Sequence, residues 1–550
     1  MQGTPALKKN FFGVFYAESA CVRVSRENKS IMKEVLVSGI RISARSTAAG
    51  LEKRLRGKIA GLLELSPREL GKIRITGKSI DARGREPVLL FKAAVEVPDD
   101  VPLKPWEMPE AAVPVFPENI SLKNPLVVGT GPAGIFCGLA LAMAGTEPLI
   151  LDRGPCVEDR CAGIEDFLSS RQLDENCNLL IGEGGAGTFS DGKLYTGTHD
   201  KMARFVLQTF VEAGAPQEIL YLARPHIGTD FLKVAASGLR RKIISLGGSF
   251  KFNTQVTDIV VQNGKCSGVV CADGSTISAP AVVVACGLGG RELARNLMKK
   301  VEFELKPFQL GCRIEHPQEF IDFRQYHGAR PELLGAAEYH LVSRPGGTIL
   351  PVSSFCMCPG GTVVNASAWQ NACATNGMSD FARDGEFANA CLISTLSPDF
   401  SGSVEKAFEL IEEIERSSFL LGGKNYTFPA QDAAGFLRNE VILRNRKTSC
   451  HTGIIPGEVR SLLPAPTVSA LSSALKFFDR QLPGFIKNGK FIGVEPCVSS
   501  PLRFTRKENG FSSIDNLILS GEGAGASGGI ISAACDGIRA AKALLPVTQA

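Results

Sequence analysis

Apolar and polar positions divide the chain into a short N-terminal unit and a much longer remainder. Residues 34–43 alternate between the two kinds of position, as a half-buried β-strand does, and residues 51–62 carry leucine and isoleucine at helical spacing. Two further strands are predicted over residues 72–75 and 88–97. The order strand–helix–strand–strand predicts a small α+β domain of ferredoxin-like type over residues 32–100.

The segments on either side of this domain show no such pattern. Residues 1–31 lack sustained periodicity, and we interpret them as a loose arm or as the product of an upstream start, because Met32 opens directly onto the first strand. Residues 101–120 are rich in proline and are predicted to be a stiff linker to the rest of the chain.

A nucleotide-binding motif follows the linker. An apolar strand at 126–128 leads into the sequence GTGPAG, then an apolar helix, and then a second strand that ends at Asp152. The three glycines permit a tight turn, a close approach of the backbone to a pyrophosphate, and close packing of helix and strand. Asp152 stands where an acid hydrogen-bonds a ribose diol. The residues predicted to bind the nucleotide here are Gly129, Gly131, Pro132, Ala133, Gly134, Asp152 and Arg153.

A second strand, glycine-rich loop and helix lie near the end of the chain. Residues 516–520 form the predicted strand, and the helix is predicted over 531–543. In flavoproteins of the glutathione-reductase-like class, such an element contacts the ribityl chain and directs its helix N-terminus at the flavin. The pair of elements therefore predicts FAD, rather than NAD, as the cofactor. The predicted contacts in this element are Gly521, Glu522, Ala524, Gly528, Gly529 and Ile530.

The region between the two elements contains a predicted strand at 250–253, then a predicted meander of strands over residues 257–278 and a further strand at 281–285. The same arrangement in flavoproteins returns the chain beneath the adenosine half of FAD, so Val256 and Gly287 are predicted to contact the cofactor. We find no second strand–GxGxxG–helix unit in the sequence. A nicotinamide donor would therefore bind only transiently.

These elements predict an α/β protein with an interrupted cofactor domain. Residues 121–300 and 490–545 are predicted to form a Rossmann-like FAD-binding domain. Residues 301–489 interrupt it and are predicted to be an inserted α+β substrate domain, or cap.

With these residues, the chain resembles a bacterial family of largely uncharacterised FAD-dependent dehydrogenases in the glutathione-reductase-like flavoprotein superfamily. The resemblance runs from about Met32 to the C-terminus and implies FAD binding and an oxidoreductase fold, without naming a substrate. The stretches that carry it are GKSIDAR at 77–83, GEGGAGTFSDGKL at 182–194, PHIGTD at 225–230, RIEHPQ at 313–318, FCMCPGG at 355–361, NGMS at 376–379, SSPLRFTR at 499–506 and GEGAGASGGIISAACDG at 521–537.

The stretch at 182–194 holds too many glycines for a helix or a strand, so it is predicted to be a loop. In related flavoproteins the equivalent loop passes the isoalloxazine ring, whereas a purely structural glycine-rich turn is the alternative. The residues predicted to lie beside the flavin are Gly184, Gly185, Thr188, Ser190, Asp191, Gly192 and Lys193.

Four side chains are candidates for catalysis. Arg313, at the end of a predicted strand, is suited to bind a substrate carboxylate in a bidentate manner. Glu315 or His316 is suited to exchange the proton that accompanies hydride transfer, and His226 is a second candidate for that role. Each of them also has a purely structural interpretation, because a single histidine is more often structural than catalytic.

Cys356 and Cys358 form a C-x-C pair in a predicted strand. Two thiols on one side of a strand are compatible with redox or metal chemistry, and a packed strand without chemistry is the alternative. The sequence holds no second cysteine pair at metal-ligand spacing, so no metal site is predicted.

Composition and charge bear on the cellular compartment of the protein and on its binding partners. Its 16 cysteines are scattered and no secretory signal opens the chain, which favours a reducing cytoplasm. The longest apolar stretch, at 133–145, is too short to span a bilayer. Residues 1–100 carry a net charge of +8 within a total of +5, an asymmetry suited to an acidic partner, an anionic substrate or nucleic acid, or to a solvated surface alone.

The sequence therefore favours an FAD-dependent oxidoreductase, either a dehydrogenase or a C=C reductase, that acts on a small organic substrate. NAD(P)H, ferredoxin or flavodoxin is the predicted external electron partner. Two alternatives stay open: an RNA-modifying flavoprotein, disfavoured because the basic residues lack interleaved aromatics, and a flavoprotein that docks an acidic electron-transfer protein through its basic N-terminal domain.

Overall fold

The computed structural model describes residues 32–108, 112–117, 120–195, 197 and 200–545. The predicted N-terminal arm, residues 1–31, lies outside these residues. Within the described ranges, no helix combines the length and the apolar character that crossing a membrane requires.

The N-terminal domain is a three-stranded antiparallel sheet with one helix, and its strand order is β1-β3-β2. Alternation along the first strand buries Val35, Val37, Ile40 and Ile42. Its elements are β1 (Met32–Ser43), α1 (Leu51–Leu63), β2 (Ile73–Asp81) and β3 (Val88–Pro98). These are the first four of the six elements of the β-α-β-β-α-β ferredoxin-like pattern, and the described part of the linker, 101–108, 112–117 and 120, adds neither helix nor strand to it.

The next part of the chain alternates strands and helices, as expected for a nucleotide-binding fold. Its elements are β4 (Leu126–Val128), α2 (Pro132–Met143), β5 (Leu149–Leu151), α3 (Val157–Ser170), α4 (Ala203–Glu212), α5 (Thr229–Ser245), β6 (Ser249–Lys251), β7 (Val256–Gln262), β8 (Lys265–Cys271), β9 (Thr276–Ser278), β10 (Val282–Val284) and α6 (Arg291–Met298). Strands β7, β8 and β9 form the antiparallel meander that the sequence predicts.

A large α+β region follows. Its elements are β11 (Phe303–Leu305), β12 (Phe308–Pro317), α7 (Gln318–Gln325), β13 (Val342–Ser343), β14 (Val352–Cys358), β15 (Thr362–Asn365), β16 (Thr375–Met378), β17 (Phe387–Leu396), α8 (Pro398–Ser401), α9 (Val404–Leu421), β18 (Phe428–Asp432), α10 (Ala433–Arg438), β19 (Ile454–Pro456), α11 (Ala465–Gln481), α12 (Phe485–Asn488) and β20 (Lys490–Glu495). The chain ends with β21 (Leu502–Phe504), β22 (Leu517–Leu519) and α13 (Ile530–Leu544).

A five-stranded parallel sheet, ordered β22-β10-β4-β5-β6, forms the centre of the nucleotide-binding part. Strands β4, β10 and β22 are short, apolar and buried, as expected for strands covered on both faces. Helices α2 and α13 cross very closely, because a Cβ atom built on Gly537 would lie 1.9 Å from the carbonyl oxygen of Ala133. The two ends of the interrupted domain therefore meet in one sheet and one helix pair.

The inserted region is built on a seven-stranded sheet, ordered β13-β14-β17-β12-β20-β18-β19. We call this sheet the cap sheet. It contains β20, although the sequence analysis placed residues 490–495 with the nucleotide-binding domain. The run KFIGVE is buried on both faces, so its hydrophobic pattern is the same for either sheet. Pairing with β12 and β18 decides the matter.

A buried ion pair joins the cap to the nucleotide-binding part. Arg291 of α6 and Glu415 of α9 are each 5% exposed and lie 3.1 Å apart. The guanidinium also lies over the Trp369 ring, 4.0 Å from its centre. Removing one partner of such a pair would leave the other charge buried and uncompensated, so the contact holds the two parts in a defined relation.

Candidate functional site

A cleft of about 1280 Å³, including space open to solvent, lies at the carboxyl ends of the parallel strands. Ligands of open α/β sheets bind at this edge. Three glycine-rich turns, after β4, β10 and β22, form much of its wall. Most of the lining residues are Gly129–Ala133, Asp152, Arg153, Leu180–Gly182, Gly185–Gly187, Thr254–Val256, Ala285–Gly290, Gly521, Glu522, Ser527, Gly529 and Ile530.

The first turn has the backbone that its glycines predict. Gly129 has φ +102°, and a Cβ atom there would lie 2.5 Å from the carbonyl oxygen of Ala285. A Cβ atom on Gly134 would lie 1.9 Å from the carbonyl oxygen of Gly129, so only glycine lets α2 pack against this turn. A Cβ atom on Gly131, in contrast, would meet only Gly185, at 4.0 Å. The cradle at Gly131 is therefore open, and it faces the cleft at the start of α2.

Asp152 supports this turn. One carboxylate oxygen accepts hydrogen bonds from the backbone N–H (2.9 Å) and the hydroxyl of Thr130, and the other accepts one from the Gly154 N–H, at 2.8 Å. Burial raises the pKa of Asp152, and these hydrogen bonds oppose the rise. Asp152 lines the cleft as predicted from its position, and its role toward a ribose diol stays a prediction.

The third turn is supported by an acid that the sequence analysis did not single out. Asp536, on α13, accepts hydrogen bonds from the Ser520 hydroxyl (2.7 Å) and the Gly521 N–H (2.8 Å). Arg506 binds the same carboxylate in a bidentate manner, at 2.8 and 2.9 Å. Burial acts to raise the pKa of Asp536, but the hydrogen bonds from Arg506 outweigh it and the pKa is lowered. The sequence signal that could have found Asp536 is the single acid in GIISAACDG, on the helix that follows the glycine turn.

Glu522 lines the cleft beside this turn. Its carboxylate accepts a hydrogen bond from the Ser500 N–H at 3.2 Å, and burial raises its pKa. Of the other residues predicted in this element, Gly521, Gly529 and Ile530 also line the cleft. Ala524 and Gly528 are not among the lining residues.

The two halves of the glycine-rich loop at 182–194 lie in different surroundings. Its first half enters a short 3-10 turn, Gly185–Phe189, and Gly185 lines the cleft. Gly184 and Thr188 instead line a smaller neighbouring cavity. The Ser190 hydroxyl donates to the carbonyl of Gly187 at 2.7 Å, so it closes the turn on itself.

Two buried charges that the sequence analysis missed hold this loop against α3. Arg160 is fully buried, and its guanidinium donates to the carbonyls of Asn178 (2.9 Å), Glu183 (2.6 Å) and Gly185 (3.0 Å). The Glu183 carboxylate accepts from the Val157 N–H at 2.7 Å. Neither residue stands in a recognisable motif for this role, because the backbone groups that it binds are brought near only by the fold.

The second half of the loop contacts the cap. Asp191 is buried and forms ion pairs with Lys193, at 2.9 Å, and with Arg383. The Lys193 ammonium also donates to the carbonyl of Met357 on β14. Burial opposes ionisation of Asp191, yet the two cations outweigh it and hold its pKa well below the usual range. Asp191, Gly192 and Lys193 thus lie at the boundary between the loop and the cap, outside the lining of the cleft.

His226 lies beside this group. Its Nε2–H donates to the carbonyl of Phe381 at 3.0 Å, and its ring stacks on the Phe381 ring. Nδ1 is buried without a hydrogen-bond partner. Burial lowers the pKa of His226 to about 4, so the imidazole is neutral near pH 7.

The three predicted catalytic residues of β12 lie in the core of the cap sheet, away from the cleft lining. Arg313 is fully buried, and its guanidinium donates to Glu495 (3.0 Å from Nε), Asn389 (2.8 Å), Asn376 (3.2 Å) and the carbonyl of Cys356 (3.4 Å). These contacts use the guanidinium donors. The structure therefore gives Arg313 the place of a buried support of the sheet, without a free edge for a substrate carboxylate.

Glu315 and His316 are equally enclosed. The Glu315 carboxylate accepts hydrogen bonds from the N–H (3.0 Å) and hydroxyl (2.6 Å) of Ser449 and lies 3.3 Å from the Lys490 ammonium. His316 donates from Nε2 to the carbonyl of Phe485 at 2.9 Å. Burial lowers the pKa of His316 to about 4. Both side chains anchor neighbouring segments to β12, and neither reaches the cleft.

The cleft fits FAD on structural grounds. The glycine turns after β4 and β22 both face it, and the N-termini of α2 and α13 lie at these turns, where free N–H groups bind phosphate. The predicted cofactor residues on its wall are Gly129, Gly131, Pro132, Ala133, Asp152, Arg153, Gly185, Val256, Gly287, Gly521, Glu522, Gly529 and Ile530.

Comparison with known proteins agrees with this site. Residues 233–372 match the family model described as FAD dependent oxidoreductase, and residues 307–497 match the model described as FAD-dependent protein, C-terminal domain-like. An uncharacterized protein of Clostridium beijerinckii is 36% identical over 530 residues, which cover 93% of this chain and 98% of that protein.

Solved structures of low similarity were also found. The flavin-dependent brominase Bmp2 is 14% identical, with a TM-score of 0.37, and the match covers 77% of this chain and 79% of the brominase. A glycerol-3-phosphate dehydrogenase from Bacillus halodurans, complexed with FAD, is 12% identical, with a TM-score of 0.35, over 78% of this chain and 65% of the other. At these values the two structures indicate neither substrate nor reaction.

The fold, the cleft and the matching models define an FAD-dependent oxidoreductase. This class and its cofactor confirm what the sequence analysis predicted. Within it, the chain belongs to the family of the Clostridium beijerinckii protein, with which it aligns over nearly its whole length.

Proposed function

We propose that this chain is a dehydrogenase or a C=C reductase for a small organic substrate, with FAD supplying hydride transfer and an external partner supplying or accepting electrons. The observation that carries the proposal is the glycine-lined cleft, built for one dinucleotide. The described residues offer no second strand–GxGxxG–helix unit that would hold a nicotinamide permanently.

The glycine loops bind the cofactor, and their supports orient it. Asp152 and Asp536 hold the backbone N–H groups of the first and third turns in place, so those groups need no rearrangement when a phosphate or a ribityl chain arrives. Arg160 does the same for the loop at 182–194 by fixing its carbonyls.

We place the substrate side at the boundary where this loop meets the cap. One half of the loop lines the cleft, and the other half contacts Met357 and Arg383 of the cap. Of the four predicted catalytic residues, only His226 lies at this boundary; its backbone pairs with that of Lys193. A neutral imidazole with an unpartnered Nδ1 is suited to accept a proton there.

Two measurements test the proposal. The purified chain should be yellow and release FAD on denaturation, and a colourless chain that cannot be reconstituted with FAD would refute the assignment. Anaerobic stopped-flow mixing with NADH, NADPH and reduced ferredoxin should show rapid bleaching of the flavin band with at least one of them. Failure of both nicotinamides would exclude a direct pyridine-nucleotide route, and failure of all three would contradict the proposed external donor.

His226→Gln tests the proton-accepting role. We expect the variant to keep its FAD and to slow the rate of the substrate half-reaction by about 10²-fold or more, once a substrate is found by screening. His451→Gln is the matched control, because that histidine is exposed. An unchanged rate in His226→Gln would remove His226 from the proposal.

A further inference from the structure

A second cavity borders the cofactor cleft on the side of helices α2 and α5. Its volume is about 390 Å³, including space open to solvent. Some of its lining residues also line the cleft, so the two spaces meet at a shared wall. These shared residues are Thr130, Pro132, Gly187 and Ile530. The other residues that line the cavity are Ile135, Glu183, Gly184, Thr188, Phe210, Leu232, Ala236 and Leu239.

The polar side chains of this wall are turned into the protein. Thr130, Glu183 and Thr188 are only 1%, 0% and 2% exposed. The Thr130 hydroxyl donates to Asp152, and the Thr188 hydroxyl donates to the carbonyl of Glu183 at 3.4 Å. One carboxylate oxygen of Glu183 accepts from the Val157 N–H at 2.7 Å, and the other is buried within the wall. The surface that faces the cavity is therefore almost entirely apolar.

The apolar side chains around the cavity come from four helices. Ile135 belongs to α2 and Phe210 to α4, Leu232 and Leu239 belong to α5, and Ile530 belongs to α13. A buried water needs about two to four polar partners, so a cavity lined by leucine, isoleucine and phenylalanine stays free of ordered water and binds small apolar molecules such as xenon. The site therefore selects its occupant by small size and by lack of polarity.

We propose that this cavity binds dioxygen and supplies it to the cofactor cleft, so that dioxygen is an electron acceptor of the reduced enzyme. The inference rests on the proposed function, in which an external partner accepts electrons. Nicotinamides, ferredoxins and flavodoxins are too large and too polar for the cavity, whereas dioxygen is small and apolar. In the reaction, dioxygen takes two electrons and two protons from the reduced enzyme and leaves as hydrogen peroxide.

Xenon tests the binding step, because it is apolar and its strong scattering locates it in a crystal. Crystals of the full-length chain are pressurised with xenon, and we expect a xenon atom in contact with Ile135, Phe210 and Leu239. The absence of xenon at this position, or an ordered water in its place, would overturn the proposal. The measurement does not depend on bound flavin, so its failure is distinguishable from failure of the proposed function.

Reoxidation of the flavin-loaded enzyme tests the supply step. The enzyme is reduced photochemically without air and mixed with air-saturated buffer, and the return of the oxidised flavin band and the hydrogen peroxide formed are measured. Ala236→Leu fills the cavity from α5, outside the cleft lining, so xenon binding should be lost and reoxidation should slow several-fold. Ala162→Leu, at an exposed position of α3, is the matched control and should react as the wild type does.

Xenon competition provides a measurement that needs no variant. Xenon pressure should slow reoxidation of the wild type, because xenon and dioxygen would occupy the same cavity, and it should have no effect on Ala236→Leu. Reoxidation at the wild-type rate both in Ala236→Leu and in the xenon-pressurised wild type would overturn the supply of dioxygen through this cavity.

Discussion

Polar side chains have different roles in the nucleotide cleft and in the cap sheet. Around the cleft, Asp152 and Asp536 bind the backbone of glycine turns that face the cleft. In the cap sheet, Arg313, Glu315 and His316 are buried and form hydrogen bonds with neighbouring protein groups, and none of them lines the cleft. The first arrangement prepares a site for a ligand, and the second stabilises a fold.

The difference shows that residue type alone does not separate the two cases. Arginine, glutamate and histidine on one strand are compatible with catalysis, and they are equally compatible with a polar core whose members satisfy each other. A catalytic site differs from a polar core in the direction of its remaining donors and acceptors, which face a cleft in the first case and the protein interior in the second. Four substitutions test this contrast.

Gly134→Ala should weaken FAD binding strongly. The added Cβ atom would lie 1.9 Å from the Gly129 carbonyl oxygen, so the first turn must move and its cradle is lost. We expect FAD affinity to fall by about 10²-fold or more, equivalent to about 3 kcal/mol. Flavin content after purification and a fluorescence titration measure it, with circular dichroism to verify the fold. Gly61→Ala, where nothing lies within 4 Å, is the control, and wild-type affinity in Gly134→Ala would contradict the assigned cradle.

Arg313→Met should destabilise the cap without weakening FAD binding. The substitution leaves Glu495 buried and without its cation, which costs about 3–5 kcal/mol of unfolding free energy. Urea unfolding measures the loss, and flavin titration below the transition should match the wild type. Arg438→Met removes the exposed pair with Glu440 and should cost less than about 1 kcal/mol. A stable Arg313→Met variant that fails to turn over substrate would instead restore the catalytic interpretation.

His316 should make the protein less stable as the pH falls. Its folded pKa of about 4 lies below the ordinary value of 6.5, so the unfolded chain binds the proton more readily. The stability is complete above about pH 6.5 and is lost as the pH falls toward 4, by about 2 kcal/mol at pH 5. Urea unfolding of the wild type and of His316→Gln at pH 7.5 and pH 5 checks this. The stability difference between them should shrink by that amount, and a constant difference would contradict the buried neutral imidazole.

Asp536→Asn should weaken FAD binding moderately. The amide still accepts a hydrogen bond from Gly521, but the charge that binds Arg506 is gone, so the third turn is held less firmly. We expect a loss of about tenfold in affinity, or about 1.4 kcal/mol. A fluorescence titration gives the value, with the exposed Asp515→Asn as control. Equal affinities in the two variants would show that the support of this turn is not needed for binding.

The sequence predicted the parts of the fold whose pattern is local. The three-residue apolar strands, the glycine turns, the meander and the β-α-β-β order of the first domain all follow from periodicity and turn residues within short windows. The boundary of the cap was harder to predict, because residues 490–495 are buried on both faces and their pattern would fit either sheet. The supports Arg160, Glu183 and Asp536 were missed, since their partners are distant in sequence and are mostly backbone groups.

By itself, the sequence determined the cofactor and the glycine turns that face it. The need for glycine at 129, 131 and 134 follows from the motif alone, because each position requires a tight turn, a close backbone approach or close packing. Only the tertiary structure decided which charged side chains are free. The sequence predicted both Arg313 and Asp152 at the end of a strand, but β12 continues to Pro317 and encloses the Arg313 guanidinium among hydrogen-bond acceptors, whereas Asp152 borders the cleft. Whether a side chain is available to a ligand depends on groups as far as 182 residues away in the sequence, and no local pattern records them.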